Sequence, residues 1–482
     1  MKTWIHILSF ITLASGLLGK PNVLFIAVDD LRVELGCYGG TIVKSPNIDK
    51  LAARGTMFTR AYCQQAVCNP SCASALTGLR PSTLGIWDLP THFRQTHPDI
   101  VTLPQYFKNN GYFCQNIGKI FHNWRQDQHK GDAPSWSVPQ VMHYNTHGAD
   151  KPLVTGMIPE NTVNVPRCES RELGDEAYFD GRIARDSLLA LRKLAKRKAP
   201  FFLGVGFWKP HLDFNAPKKY WDLYDPKDIP MPARTEPPVG APEIALHDCR
   251  EAFRSFKKRP GGKPTESDTR TLRHGYYAAT SYLDAQVGRV VDELDRLGLA
   301  RNTIILFWSD HGFHLGENGL WAKTSNYELD TRVPLIIATP DHPGSQKSDA
   351  LVELLDMYPT LAELAGLELP KYLEGRSLAP LLDSPCQPHN AAAFSWHPRP
   401  AYPPKGKPPE VMGYAMRTER YRYVEWRDSK TGKVRSAELY DHSVDPGETR
   451  NLSASAAQDL LLRLSNQLAK THPRLPVTQP LP

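Results

Sequence analysis

Four short runs of apolar residues constrain the fold of this 482-residue chain more than any other feature. Each run is apolar on both faces of an extended strand, which is typical of strands buried in the middle of a parallel sheet. Amphipathic segments typical of helices lie between them, and strands alternating with helices predict a doubly wound α/β domain. The runs are Asn22–Val28, Phe201–Phe207, Thr303–Trp308 and Leu335–Thr339, and the helical segments are Ile183–Lys198, Arg273–Leu297 and Ala350–Gly366.

Polar side chains follow three of these strands at their carboxyl ends, where ligands bind in open α/β sheets. Taken singly, the aspartates could be helix N-caps and each histidine could be a hydrogen-bonded structural residue. Together they supply carboxylates and imidazoles, which suit a divalent cation with mainly oxygen ligands, calcium or magnesium. The residues are Asp29 and Asp30 after the first strand, His211 after the second, and Asp310 and His311 after the third.

A cysteine lies next to a predicted helix start. Pro70 and Ser71 are typical of the first turn of a helix, so Cys68 is predicted to precede a helix N-terminus. That position favours an activated or anionic group, although an isolated cysteine is more often a buried, inert residue. The chain contains no pair of CxxC motifs and no HExxH, which excludes the common structural zinc and zincin sites.

The N-terminus predicts export. Lys2 precedes the mostly apolar stretch 4–18, and small residues follow, which is the pattern of a secretory signal peptide over residues 1–19. We expect no membrane anchor and a periplasmic, secreted or lysosome-like location. The net charge of +7 comes from 58 basic and 51 acidic residues. Because these charges are scattered, they suit an anionic ligand but do not indicate nucleic-acid binding.

The character of the sequence changes after Pro385. Residues 20–385 are predicted to form the main domain, and residues 386–482 a smaller α+β subdomain. Two loop-rich inserts, residues 122–175 and 213–270, are expected to shape a surface above the sheet. The predicted elements of the subdomain are strands at Val411–Arg417, Arg420–Trp426 and Ala437–Tyr440 and a final helix at Ala457–Lys470.

The segment from Cys68 to Gly78, CNPSCASALTG, resembles the signature C-x-P-S-R-x-x-x-L-T-G of the type I sulfatase family. In that family a separate maturation enzyme oxidises the cysteine to formylglycine. The resemblance extends over nearly the whole mature chain and is greatest to the iduronate 2-sulfatases of the family. Motifs that carry it include NVLFIAVDDLRVELGCYG, QQAVCNPS, IGKIFH, FFLGVGFWKPH, TIILFWSDHG, WAKTSN and GYAMRTERYRY.

The resemblance implies an alkaline-phosphatase-like doubly wound mixed sheet with a smaller C-terminal subdomain, one calcium ion, and hydrolysis of sulfate esters. A hydroxyl of the hydrated aldehyde attacks sulfur, a histidine or lysine protonates the departing alcohol, and His122 then accepts a proton. The implied calcium ligands are Asp29, Asp30, Cys68 as formylglycine, Asp310 and His311. The implied catalytic residues are Cys68, which becomes the formylglycine, and Lys119 and His122 beside it. His211 and Lys323 are implied to contact the sulfate and the leaving oxygen.

The same resemblance implies the partners of the protein. The substrate would be a sulfated polysaccharide or oligosaccharide, with 2-O-sulfated uronic acids of heparan- or dermatan-type chains as the first expectation. Other sulfated glycans remain alternatives. A formylglycine-generating or radical maturation enzyme would modify Cys68.

One residue departs from the signature, because Cys72 stands where the family has arginine. Cys68 could still be matured, or it could stay a thiol in a protein that binds sulfated glycans without cleaving them. It could also pair with Cys72 or Cys63, although Cβ atoms one helical turn apart are roughly 5–6 Å from each other, beyond the ~3.5–4.5 Å of a disulfide. A two-zinc phosphodiesterase of the same superfamily is a further alternative, but the Asp29–Asp30 pair with Cys68 favours a single calcium.

Overall fold

The structure is a computed structural model that describes residues 19–122, 130–142, 157–258, 261–342 and 344–473. All of the predicted signal peptide except Gly19 lies outside the described residues, as does part of the first predicted insert. None of the helices in the described ranges is long and apolar enough to cross a membrane.

The strands form one large sheet, one smaller sheet and two short two-stranded pairs. In chain order they are β1 (Asn22–Asp29), β2 (Thr56–Tyr62), β3 (Phe113–Gly118), β4 (Cys168–Arg171), β5 (Phe201–Pro210), β6 (Phe214–Pro217), β7 (Thr303–Ser309), β8 (His314–Leu315), β9 (Trp321–Ala322), β10 (Arg332–Ala338), β11 (Gln346–Glu353), β12 (Ala392–Arg399), β13 (Val411–Thr418), β14 (Tyr421–Asp428) and β15 (Val434–Asp441).

The large sheet has the order β11-β2-β10-β7-β1-β5-β3, and it is mixed. Strands β7, β1, β5 and β3 are parallel neighbours, as predicted for the first three apolar runs. The fourth run was expected in the same parallel set, and this is wrong: β10 is antiparallel to both β7 and β2. The reason is the connection, because residues 310–331 include no long crossover helix of the kind that a parallel return needs.

Helices cover both faces of the large sheet. They are α1 (Pro46–Ala52), α2 (Cys68–Thr77), α3 (Pro81–Leu84), α4 (Phe93–Thr96), α5 (Leu103–Asn109), α6 (Phe179–Leu194), α7 (Lys218–Trp221), α8 (Arg250–Phe253), α9 (Glu266–Arg296), α10 (Glu328–Thr331), α11 (Met357–Leu364), α12 (Ala379–Asp383) and α13 (Gln458–Thr471). The predicted helix at Ala350–Gly366 is wrong in its first part, because residues 350–353 belong to β11. Backbone pairing with β2 outweighs the helix propensity of these residues.

The alternating side chains of β1 show why the sheet is buried on both faces. Leu24 and Ile26 pack into the core on the side of α6 and α9. Val23 and Phe25 pack into the core on the side of α2 and α11. An apolar strand covered on both sides is the basis of the doubly wound prediction, which is confirmed together with the mixed character of the sheet.

The C-terminal part forms an antiparallel sheet in the order β12-β13-β14-β15. Helix α13 packs on it through Leu464 and Leu468. Strands β13, β14 and β15 lie at the three predicted positions, but β12 was not predicted. Its sequence, AAFSWHPR, includes Pro398, which lacks the N–H needed for a strand ladder and is confined to edge strands such as this one.

Candidate active site

The predicted polar residues meet at the carboxyl edge of the four parallel strands. Asp29 is the last residue of β1, Lys119 follows β3, His211 follows β5 and Asp310 follows β7. Because these strands are neighbours, their ends bring residues nearly 300 positions apart in the sequence to one place. The edge predicted from the strand ends is therefore where the side chains gather.

Cys68 lies in the first turn of α2, since the helix begins at Cys68 itself, two residues earlier than predicted. Its Sγ is 3.3 Å from Nε2 of His311 and 3.5 Å from Oδ1 of Asp29. Burial, reinforced by the charge of Asp29, raises the pKa of the Cys68 thiol well above its usual range. All eight cysteines are described and are free thiols, so Cys68 is bonded to neither Cys63 nor Cys72.

The five predicted metal ligands converge around Cys68. Donor atoms of Asp29, Asp30, Cys68 and His311 all lie within 4.8 Å of one another. Asp310 completes the group, because its Oδ1 accepts a hydrogen bond of 3.2 Å from the backbone N–H of Asp30, and its Oδ2 is 3.6 Å from Nε2 of His311. The cluster offers three carboxylates, one imidazole and the side chain of residue 68.

Two buried lysines face these carboxylates. Nζ of Lys119 is 2.5 Å from Oδ2 of Asp29 and 3.5 Å from Oδ2 of Asp310. Nζ of Lys323 is 2.9 Å from Oδ1 of Asp30. Burial disfavours the charged form of both lysines, but the carboxylates of Asp29 and Asp30 hold the pKa values of Lys119 and Lys323, respectively, well above the usual range. Both ammonium groups are therefore positively charged.

A fourth carboxylate, Glu251 of α8, also lies in the site, with its Oε1 2.8 Å from Nζ of Lys323 and 3.4 Å from Nε2 of His211. Its Oε2 accepts a hydrogen bond of 2.6 Å from the hydroxyl of Tyr402. Sequence analysis predicted neither residue. Glu251 lies in the irregular second insert and Tyr402 beyond the unpredicted strand β12, so no periodic or strand-end pattern marked them.

The net charge of the clustered side chains shows whether a calcium ion would suit this site. Four carboxylates and two ammonium groups leave two negative charges in a buried cluster, and burial raises the pKa of Asp30 well above its usual range although Lys323 opposes this. A raised carboxyl pKa means that binding a proton or a cation to the carboxylate lowers the free energy of the site. One divalent ion with mainly oxygen ligands balances the cluster, so the residues fit a hard divalent cation of the class to which calcium and magnesium belong.

A second group of three possible metal ligands lies beside the first, and its charges decide whether a second ion fits. Asp30, His211 and Glu251 also offer ligand atoms within 4.8 Å of one another. The ammonium of Lys323 contacts both carboxylates of this group, at 2.9 Å and 2.8 Å. Because one divalent ion already balances the two negative charges of the whole cluster, a second divalent ion would leave the buried site positively charged, which disfavours the two-zinc alternative.

His122 is the predicted proton acceptor beside residue 68. Among the described residues its Nδ1 has no hydrogen-bond partner. Burial, together with the positive charge of Lys119, lowers the pKa of His122 to about 3. The imidazole is therefore neutral at ordinary pH and can accept a proton.

This lowered pKa predicts acid sensitivity. The unfolded chain binds a proton at His122 below about pH 6.5, whereas the folded chain does so only near pH 3, so stability falls as the pH drops between these values. We expect wild type to lose up to about 1.4 kcal/mol per pH unit more than His122→Gln between pH 6.5 and 4.5. Urea unfolding at several pH values measures this, with His342→Gln as a control at the opposite edge of the sheet. Identical pH dependence of wild type and His122→Gln contradicts the prediction.

Cys72, in place of the signature arginine, lies one turn after Cys68. Its Sγ is 3.9 Å from Oδ2 of Asp310, the same oxygen that Lys119 approaches at 3.5 Å. Burial and the charge of Asp310 raise the pKa of the Cys72 thiol. The nearby Arg80 does not replace the missing charge, because its guanidinium pairs with Glu353 at 3.0 and 2.7 Å. Lys119 is therefore the positively charged side chain that lies beside Asp310 near Cys72.

The mixed sheet and the acidic cluster at its carboxyl edge define the chain as a protein of the alkaline-phosphatase-like fold. Comparison with protein families is consistent with this class: residues 21–367 match the model of the sulfatases, and residues 316–474 match that of the C-terminal region of N-sulphoglucosamine sulphohydrolase. The chain therefore belongs to the sulfatase family and is a sulfuric ester hydrolase.

Individual proteins similar to this chain agree with the family assignment. Human iduronate 2-sulfatase is 36% identical, with 89% of this chain and 90% of that protein covered. A sulfatase of Formosa agariphila is 33% identical, with 90% and 83% covered. A solved structure in complex with its substrate D-glucosamine-2-N,6-O-disulfate has a TM-score of 0.73 at 22% identity, covering 95% of this chain and 99% of that one, and is similar in fold.

Proposed function

We propose that this sulfatase removes the 2-O-sulfate group from uronic acids of glycosaminoglycan-type chains, using one calcium ion and a formylglycine made from Cys68. The position of Cys68 carries the proposal, since it lies in the first turn of a buried helix, 3.3 Å from His311 and 3.5 Å from Asp29. The similarity to iduronate 2-sulfatase supports the choice of substrate. The surplus of 7 positive charges suits any sulfated polysaccharide.

Calcium and formylglycine would supply distinct chemistry. Calcium, held by Asp29, Asp30, Asp310 and His311, would polarise the sulfate group and the attacking oxygen. Formylglycine at position 68 would supply, as a hydrated aldehyde, the hydroxyl that attacks sulfur.

The residues of the chain account for binding and proton transfer. Lys119 and Lys323, paired with Asp29 and Asp30, place positive charge near residue 68, where the sulfuryl oxygens gather negative charge. Backbone N–H groups at the start of α2 add to this attraction. Nδ1 of His211 forms a hydrogen bond of 2.6 Å with the backbone oxygen of Leu212. Its Nε2 therefore faces the site, where it can protonate the leaving oxygen. His122, being neutral, accepts a proton as sulfate is released.

We infer that Cys72 modifies this pocket without preventing maturation. A neutral thiol replaces a guanidinium, so the site has one positive charge fewer, and Lys119 is the cation that remains near Asp310. If Cys72 instead prevents maturation of Cys68, the protein binds sulfated glycans without turnover.

The rest of the chain fits an exported precursor. We infer that residues 1–19 are a signal peptide, residues 20–385 the catalytic domain and residues 386–482 a smaller subdomain. A formylglycine-generating or radical enzyme would act on Cys68 in the compartment through which the protein passes. The hydrogen bond between Tyr402 and Glu251 supports a contribution of the C-terminal part to the site.

Mass spectrometry of the peptide that contains Cys68 tests this function. Protein from the native host should carry formylglycine at position 68, and it should release sulfate from a 2-O-sulfated uronate disaccharide but not from a 6-O-sulfated glucosamine. The Cys72→Arg variant, which restores the family signature, serves as the matched control for maturation. Formylglycine only in Cys72→Arg overturns maturation of the wild type, and release only from the 6-O-sulfated sugar overturns the substrate.

A further inference from the structure

Glu251 and Tyr402 form a connected pair at the edge of the site. The Tyr402 hydroxyl donates to Oε2 of Glu251 at 2.6 Å, and the guanidinium of Arg250 lies 4.6 Å from the centre of the Tyr402 ring. Two consecutive residues of α8 therefore contact one side chain from the C-terminal part. The Tyr402 hydroxyl holds the Oε2 side of the Glu251 carboxylate in place.

The other oxygen of the same carboxylate faces the catalytic residues. Oε1 of Glu251 is 2.8 Å from Nζ of Lys323 and 3.4 Å from Nε2 of His211. Both oxygens of the Glu251 carboxylate thus contact protein side chains. Because only 18% of the Glu251 side chain and 2% of the Lys323 side chain are exposed, water does not weaken their attraction much.

Lys323 has two carboxylate partners, and only one of them is a proposed metal ligand. Asp30 belongs to the group of four donors around Cys68, whereas Glu251 does not. If Asp30 held a calcium ion, Glu251 would remain as a carboxylate partner of Lys323 that is not itself a proposed metal ligand. The position of the Lys323 ammonium in the loaded enzyme then depends on Glu251.

We propose that Glu251, held by Tyr402, is a positioning residue that directs Lys323 and His211 toward the leaving oxygen of the substrate. The inference rests on the proposed function and deepens it. In the proposed reaction a hydroxyl oxygen at position 68 would bond to sulfur as the bond from sulfur to the ester oxygen breaks. The electron pair of the broken bond would pass to the ester oxygen, and a proton from Lys323 or His211 would complete the alcohol. Glu251 neither gives nor receives that proton.

Dependence on the leaving group separates this role from a structural one. A sugar or phenol oxygen needs stabilisation as the bond breaks, whereas 4-nitrophenolate is stable without it. We expect Glu251→Gln to lower kcat about 100-fold with phenyl sulfate and less than about 3-fold with 4-nitrophenyl sulfate. Tyr402→Phe should show the same selectivity with a smaller loss, about 10-fold with phenyl sulfate. KM should stay nearly constant in both variants.

The experiment uses calcium-loaded, formylglycine-containing enzyme and a series of aryl sulfates, with unfolding measured alongside. Glu243→Gln, an exposed glutamate in the same insert, is the matched control. Equal losses on all substrates, an unchanged dependence on the leaving group, or a rise in KM alone overturns the positioning role while the wild type remains a sulfatase. A wild type inactive on every sulfate ester overturns the proposed function, and the positioning role with it.

Discussion

We expect the replacement of Cys68 with alanine to lower kcat/KM for sulfate-ester hydrolysis by more than about 10⁴-fold, because the change removes the proposed nucleophile. The thiol is the point on which Asp29 and His311 converge, at 3.5 and 3.3 Å. Sulfate release followed by ion chromatography measures the effect.

The fold should survive this substitution. Cys68 is a small side chain in a helix, so its truncation should cost only about 1–2 kcal/mol. Cys114→Ala is the matched control, because Cys114 is an equally buried thiol in β3 whose Sγ faces the backbone oxygen of Pro104 at 3.3 Å. Activity retained in Cys68→Ala, or lost equally in Cys114→Ala, contradicts the assignment of the nucleophile.

Replacing Lys119 with methionine lowers the free energy of unfolding of the calcium-free protein by about 3–5 kcal/mol. The substitution keeps the length of the side chain but leaves Asp29 and Asp310 without the ammonium that lies 2.5 and 3.5 Å away. Uncompensated carboxylates in a buried site are costly, because burial disfavours an unpaired charge. Urea unfolding in the presence of a chelator measures the loss.

Calcium should reverse part of this loss. A divalent cation compensates the same carboxylates, so we expect added calcium to stabilise Lys119→Met more than wild type, even though activity stays low. Lys50→Met is the matched control, because the exposed pair of Lys50 and Asp292, at 3.5 Å, is worth less than about 1 kcal/mol. Equal stability of the two variants without calcium contradicts the role of Lys119 in charge balance.

The part of the site at the strand ends could be predicted from physical principles. Asp29, Asp310 and His211 follow apolar strands directly, and parallel strands bring their carboxyl ends together. Lys119, His122 and Lys323 were assigned only through the family motifs around them. Lys119 also follows a strand, but β3 was not among the predicted runs, and Lys323 lies in a long connection that carries no periodic signal.

The parts that sequence analysis missed depend on contacts between distant segments. Glu251 reaches the site on a helix of four residues, and Tyr402 follows an edge strand whose proline obscures its pattern. The antiparallel direction of β10 likewise follows from the connection before it rather than from its own residues. Local propensity carries no information about such pairings, since they depend on how long-range contacts compete.

The complete burial of α2 has a consequence for timing. Every residue of α2 is buried, so an enzyme that modifies Cys68 must reach it before the helix is enclosed. The hydroxyl of Ser71 donates to the backbone oxygen of Asp310, 239 residues downstream. At ~5–20 residues per second, ribosomes need roughly 12–48 s to make that interval. Under the proposed function, modification of Cys68 therefore has to precede folding, and a molecule that folds first would keep its thiol. The active fraction would then be set during synthesis rather than at equilibrium.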